Sequence, residues 1–236
     1  MKRITLQKIL LIAVVILIEM FSSGRVFSQW VVQSSGVSVN LYDLEFINRN
    51  TGWAVGSNGT IIKTTNGGIN WNFVPNPAYG LGKDINKIHP IDSNIYYYVG
   101  PHDLFIKTTN DGVNWIIIRN GPLHSHPGFG SLFFLNKDTG WASSRYSIFK
   151  TTNGGITLDS FPTDWFEFYD IKFKNALTGI ATGDGVCYKT TNGGYNWFNT
   201  QVPVPALYPF QKISVVGDYV WRSEERRVGK ECRSRW

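Results

Sequence analysis

The string Lys-Thr-Thr-Asn-(Gly/Asp)-Gly occurs four times, beginning at Lys63, Lys107, Lys150 and Lys189, with the copies 44, 43 and 39 residues apart. A near-constant period of this size confines a chain to repeat architectures. One such unit cannot bury its apolar face alone and must stack on the next.

Within the first unit, Tyr42-Asp-Leu-Glu-Phe46 and Trp53-Ala-Val55 read as strands, with turn chemistry from Asn48 to Gly52. Ser57-Asn-Gly59 is a tight turn that wants positive φ at Asn and Gly. Thr60–Thr64 and Trp71–Val74 complete four short antiparallel strands per unit, which is the pattern of a propeller blade. Phe46-x-Asn48-x-x-Thr51-Gly52-Trp53-Ala54 recurs as Phe134 to Ala142 and as Phe173 to Ala181. The second unit is looser, with Ile88, Asn94 and Ile95–Val99 standing in, and a fifth begins at Phe210. The expected fold class is therefore all-β, a propeller of four-stranded blades with about four and a half blades present. Trp30–Gln33 resembles a fourth strand and is expected to be the outer strand of a last blade.

The two ends read differently. Residues 1–28 have a basic start (Lys2, Arg3, Lys8), an apolar run from Ile9 to Ile18 and small residues before Gln29, as a secretory signal peptide does. That run falls short of the roughly 20 residues a span requires. Residues 222–236 break the repeat in mid-unit and read as an in-frame translation of a sequencing adapter, which makes 29–221 the expected native propeller segment. This segment holds 13 basic and 13 acidic residues, so the pI of about 9.3 for the whole chain gives no ground for a nucleic-acid or anionic-lipid partner. It also holds one cysteine, Cys187, which is expected to be an inert thiol in a strand.

The strings Thr64-x-Asn66-x-Gly68-x-Asn70-Trp71, Thr108-x-Asn110-x-Gly112-x-Asn114-Trp115 and Thr190-x-Asn192-x-Gly194-x-Asn196-Trp197 resemble the Asp-box, or BNR repeat. A further copy, Thr151, Asn153, Gly155 and Thr157, carries Leu158 in place of Trp. All four have Asn where the family prefers Asp. The physics of the motif is structural: Asn closes its turn on N–H groups two or three residues on, Gly supplies left-handed backbone, and Trp packs on neighbouring strands. The repeated lysines are expected to lay their stems over apolar surface. The combination of motifs is similar to exported bacterial propellers related to the photosystem II assembly factor. That resemblance implies a secreted, periplasmic or cell-surface protein.

Asp-box propellers include sialidases and glucan hydrolases. A sialidase needs converging arginines, and this segment has only Arg49, Arg119 and Arg145. A glucan hydrolase needs two carboxylates across the scissile bond. In an extended strand Asp164 and Asp170 would share one face and Glu167 the other, so the spacing does not favour a pair, and Asp170 aligns with Asp43 as a repeat residue. Outside the repeat, Trp165 and Phe166, with His124 and His126, form a candidate binding patch; the two histidines lack a third ligand for a metal.

The resulting expectation is an exported binding or assembly scaffold that contacts a protein or glycan through inter-blade loops such as Pro77–Lys83 and Asn120–Gly130, without catalysis, cofactor or metal. No nucleic-acid partner and no membrane span after signal cleavage are expected. The alternative is a glycoside hydrolase of the Asp-box type.

Overall fold

The computed structural model describes residues 32–122, 128–163, 167–183 and 186–200, with backbone strands at 210–216, 219–224 and 232–235. Apart from residues 32 and 33, these belong to one compact unit, Ser34–Trp236. Of the expected strand Trp30–Gln33, residues 30 and 31 lie outside the described residues and 32 and 33 are not in a strand; the signal region lies outside the described residues entirely.

Blade 1 is β1 (Leu41–Phe46), β2 (Gly52–Gly56), β3 (Ile61–Thr64) and β4 (Asn72–Phe73). Blade 2 is β5 (Lys87–Pro90), β6 (Tyr96–Gly100), β7 (Leu104–Thr108) and β8 (Ile116–Arg119). Blade 3 is β9 (Phe129–Phe134), β10 (Gly140–Ser144), β11 (Ser147–Thr151) and β12 (Asp159–Pro162). Blade 4 is β13 (Phe168–Phe173), β14 (Gly179–Gly183), β15 (Cys187–Thr190) and β16 (Phe198–Asn199). Each is an antiparallel sheet in sequential order, so the protein is an incomplete β-propeller of four-stranded blades. A fifth sheet holds β17 (Phe210–Val216), β18 (Tyr219–Glu224) and β19 (Cys232–Arg235), so the backbone pairing continues beyond Trp221.

The core lies between blades, as expected of units that cannot bury a face alone. Trp53, Val55 and Ile61 of blade 1 meet Ile88, Tyr98 and Ile106 of blade 2. Tyr97 and Phe105 meet Leu132 and Phe134, and Trp141 and Ile148 meet Ile171 and Phe173. Leu44 of blade 1 is 56% exposed, although its register equivalents Ile88, Leu132 and Ile171 are buried. The ring is thus open on that face.

The repeated Phe and Gly of the Phe-x-Asn-x-x-Thr-Gly string are a packing pair. A Cβ on Gly52, Gly140 or Gly179 would lie 2.6, 2.4 or 2.6 Å from the ring of Phe46, Phe134 or Phe173. Register places Pro90 opposite Tyr96 in blade 2, so the small ring and the large residue have exchanged sides. The Asn of the string accepts the N–H groups two and three residues on, as at Asn48, Asn136 and Asn175. In blade 2 this acceptor is Asp92, not Asn94 as the sequence alignment had it: its carboxylate takes the N–H groups of Asn94 and Ile95 at 2.7 Å each. At the β2–β3 turn, Asn58 and Gly59 have φ of 54° and 69°, the left-handed backbone expected there.

Candidate functional site

The Asp-box residues make the same network four times. The hydroxyls of Thr64, Thr108, Thr151 and Thr190 accept the N–H of Gly68, Gly112, Gly155 and Gly194 at 2.8–2.9 Å. Each hydroxyl donates to the side-chain oxygen of Asn66, Asn110, Asn153 or Asn192. That oxygen accepts an N–H four residues on, from Asn70, Asn114, Thr157 or Asn196. The reach is longer than the two or three residues expected, because the Thr hydroxyl already takes the nearer N–H groups. Trp71 packs edge-on to Phe46, Trp115 to Tyr96 and Tyr98, and Trp197 to Phe173. Leu158 packs against the core between blades 2 and 3.

Lys63, Lys107 and Lys150 of the repeated lysines hold their ammonium groups over aromatic rings, and the first two also join blades. Lys63 lies 5.0 Å from the Trp53 ring centroid and donates to Asp111 of the next Asp-box at 2.6 and 2.7 Å. Lys107 lies over Tyr97 and donates to Gly154 O at 2.6 Å. Lys150 lies over Trp141, whose indole N–H donates to Gly193 O at 3.0 Å.

Of the other expected residues, Trp165, Phe166, His124, His126 and Asp164 lie outside the described residues. Arg49, Arg119 and Arg145 do not converge: Arg119 sits over Phe129 and Phe149 in the core, and Arg145 over Tyr146. Of the two inter-blade loops, the first is tied to the second through Lys83, which donates to Asn120 Oδ1 and Gly121 O. Cys187 is buried at the start of β15. Among the described residues there is no cluster of metal ligands, and no helix is long and apolar enough to cross a membrane.

The first strands of the blades converge on the axis. Asp43, Lys87, Ser131 and Asp170 occupy one register position and face one another. Lys87 lies 3.5 Å from Asp43 and 3.9 Å from Asp170, and Ser131 donates to Asp170 at 3.1 Å. Lys212 of the fifth sheet reaches Asp43 at 3.1 Å, and the Ile213 N–H donates to Asp170 at 2.8 Å. Burial pushes the Lys87 ammonium below its usual range, against the pull of Asp170 and Asp43. Burial also opposes charge on Lys212, but the attraction and hydrogen bond of Asp43, the hydrogen bond with Lys87 and the attraction of Asp170 together outweigh it and raise its pKa.

Two residues further along each strand, toward the Asp-box end, stand Glu45, His89, Phe133 and Lys172. Here the blades differ, as a binding site on a symmetric ring requires. Burial raises the Glu45 carboxyl, against the attraction of Lys172. Burial, followed by repulsion from Lys172, lowers His89 to about 4, so the ring is neutral and its Nε2–H donates to Phe134 O at 2.8 Å. Lys172 lies 5.7 Å from the Phe133 ring centroid. The sequence reading missed this layer. The signal was present in the strand alignment, because this position varies from blade to blade while its neighbours repeat.

With that geometry established, comparison with known proteins places the chain. The family model described as photosynthesis system II assembly factor YCF48 matches residues 23–157, more than half of the sequence. The chain belongs to this family. No curated protein matches it. Among solved structures, YCF48 from Cyanidioschyzon merolae superposes with a TM-score of 0.60 at 17% identity, covering 82% of this chain and 69% of that one. The GH74 xyloglucanase from Xanthomonas campestris gives 0.67 at 11% identity, covering 87% and 39%. An ancestral GH74 enzyme gives 0.65 at 18% identity, covering 83% and 28%. At these identities the likeness shows the propeller fold, and the chain spans well under half the length of the GH74 enzymes.

Proposed function

We propose that this YCF48-family propeller is an exported binding and assembly scaffold for a protein partner. The observation that carries the reading is the rim at the Asp-box end. Ile69, Val113, Ile156 and Tyr195 occupy the same position in four successive Asp-boxes and are 74, 77, 80 and 56% exposed. Within each box the Thr hydroxyl and the Asn side-chain oxygen are spent on the turn itself, and beside them the loops offer water an ordered row of apolar side chains. Such a row is costly to keep solvated and serves to bury against another surface. Tyr79 and Leu81 of the first inter-blade loop add exposed apolar area at the opposite end. The family's description as an assembly factor supports a protein partner.

The test is affinity capture with the tagged full chain from its own host, beside Ile69→Lys and Ile156→Lys. Both positions are exposed, so the fold should survive. The expected outcome is a defined partner retained by the wild type and lost from the variants, with no sugar released from a glucan panel. Sugar release without a retained partner would favour a glycoside hydrolase instead.

A further inference from the structure

Pseudo-symmetry between blades shows what fills the space where one blade's outer strand meets the next blade's Asp-box. Between blades 3 and 4 the filler is Tyr195. Its ring centroid lies 4.0 Å from the Lys150 ammonium, and its other neighbour, Phe161, meets it edge-on at 5.5 Å. Between blades 2 and 3 the filler is Ile118, which packs so close to Gly155 that a Cβ there would lie 2.4 Å from its Cδ1.

Between blades 1 and 2, Val74 takes the place of Ile118 against the Asp-box glycine, a Cβ on Gly112 lying 2.8 Å from its Cγ1, and no aromatic ring stands where Tyr195 does. Strand register equates Lys63 with Lys150, and Val74, which donates its N–H to Ile61 O, with Phe161, the partner of Ile148. Position in the Asp-box equates Val113 with Tyr195. The smaller Val113 leaves a groove of about 290 Å³ lined by Lys63, Phe73, Val74, Pro75, Asp111 and Val113. A cavity of about 150 Å³ already holds a benzene ring, so one aromatic side chain fits here with room for its attachment.

The lining also departs from symmetry in one respect. Position 111 is Asp, whereas blades 1, 3 and 4 have Gly67, Gly154 and Gly193. Asp111 holds left-handed backbone at φ 56° and is bound by Lys63, with its carboxylate partly open to solvent. An acceptor at the groove wall suits a ring that carries its own donor.

We propose that the groove between blades 1 and 2 receives the phenol ring of a tyrosine from a partner protein. The ring lies against Val74, Pro75 and Phe73, takes the Lys63 ammonium at its face and donates its hydroxyl to Asp111. This rests on the scaffold reading above and names the side chain that one blade junction recognises.

The experiment is a methyl NMR titration of the full chain with N-acetyl-tyrosinamide, N-acetyl-phenylalaninamide and N-acetyl-alaninamide at millimolar concentrations. Tyrosinamide should shift the Val74 and Val113 methyls saturably, phenylalaninamide should bind several-fold more weakly, and alaninamide should leave them unmoved. Val113→Tyr, at an exposed position, supplies the missing ring in cis and should abolish the Val74 shift without lowering Tm. Asp111→Gly should bring the two aromatic amides to equal affinity. Unmoved methyls with tyrosinamide, or undiminished binding in Val113→Tyr, would overturn the proposal. Partner capture that survives Val113→Tyr would overturn it too while leaving the scaffold standing. Tyrosinamide binding without any partner would sink the scaffold reading and leave the groove.

Discussion

His89 is the residue whose setting departs furthest from what its neighbours in sequence imply. A histidine next to the last residue of a short strand, with a turn to follow, is ordinarily solvated. Here Ile88 and Pro90 flank a ring held at the axis with Nε2–H on Phe134 O. The folded chain titrates it near 4, whereas the unfolded chain does so near 6.5. Between those values the unfolded chain binds more protons. The stability is therefore present above pH 6.5 and is lost as pH falls toward 4. A shift of this size corresponds to at most about 3 kcal/mol. Glu45 acts with the opposite sign, because burial makes the folded chain hold its proton longer. His89→Gln keeps an N–H donor for Phe134 O without titrating. Chemical denaturation at several pH values should therefore show a flatter loss of stability in the variant between pH 6.5 and 4. Parallel curves would mean that His89 is solvated and titrates normally.

At the scale of the strand pair, the Phe and Gly of the repeat string act together. Gly179 lies under Phe173, and Phe173 stacks on Trp141 at 3.5 Å and 11°. The ring cannot yield to a methyl without leaving that stack. Gly179→Ala should therefore cost about 1–3 kcal/mol through overpacking, read as a lower Tm in thermal unfolding. An unchanged Tm would mean that the ring swings clear freely. Blade 2 shows the same constraint met by exchange, with Pro90 opposite Tyr96. This explains why its string looked irregular in sequence while its sheet has the same order as the others.

Over the whole molecule, the polar axis links sheets whose faces do not all meet. Asp170 takes Ile213 N–H from the fifth sheet and the Ser131 hydroxyl from the third, and lies 3.9 Å from Lys87 of the second. Both of its oxygens face N–H or O–H donors, so an amide in its place must turn its NH₂ toward one of them. Asp170→Asn should destabilise the chain by about 2–4 kcal/mol. Hydrogen exchange should show the Ile213 amide losing protection before the amides of blades 1 and 2. Equal loss everywhere would mean that the axis does not couple the fifth sheet to the rest.

The period of the Lys-Thr-Thr-Asn strings, the four-strand unit and the Asn-Gly turn were readable from the amino-acid string, because they depend on local backbone preference and on a pattern repeated four times. The equivalence of Asp43 and Asp170 was readable for the same reason. The folded chain was needed for whatever joins residues far apart in sequence. Lys212 meets Asp43 across 169 residues, Lys63 reaches Asp111 of the next blade, and Val113 leaves open the groove that Tyr195 closes elsewhere. Spacing along the chain carries no record of which blade's side chains face the axis together, since that follows from how sheets pack side by side around it.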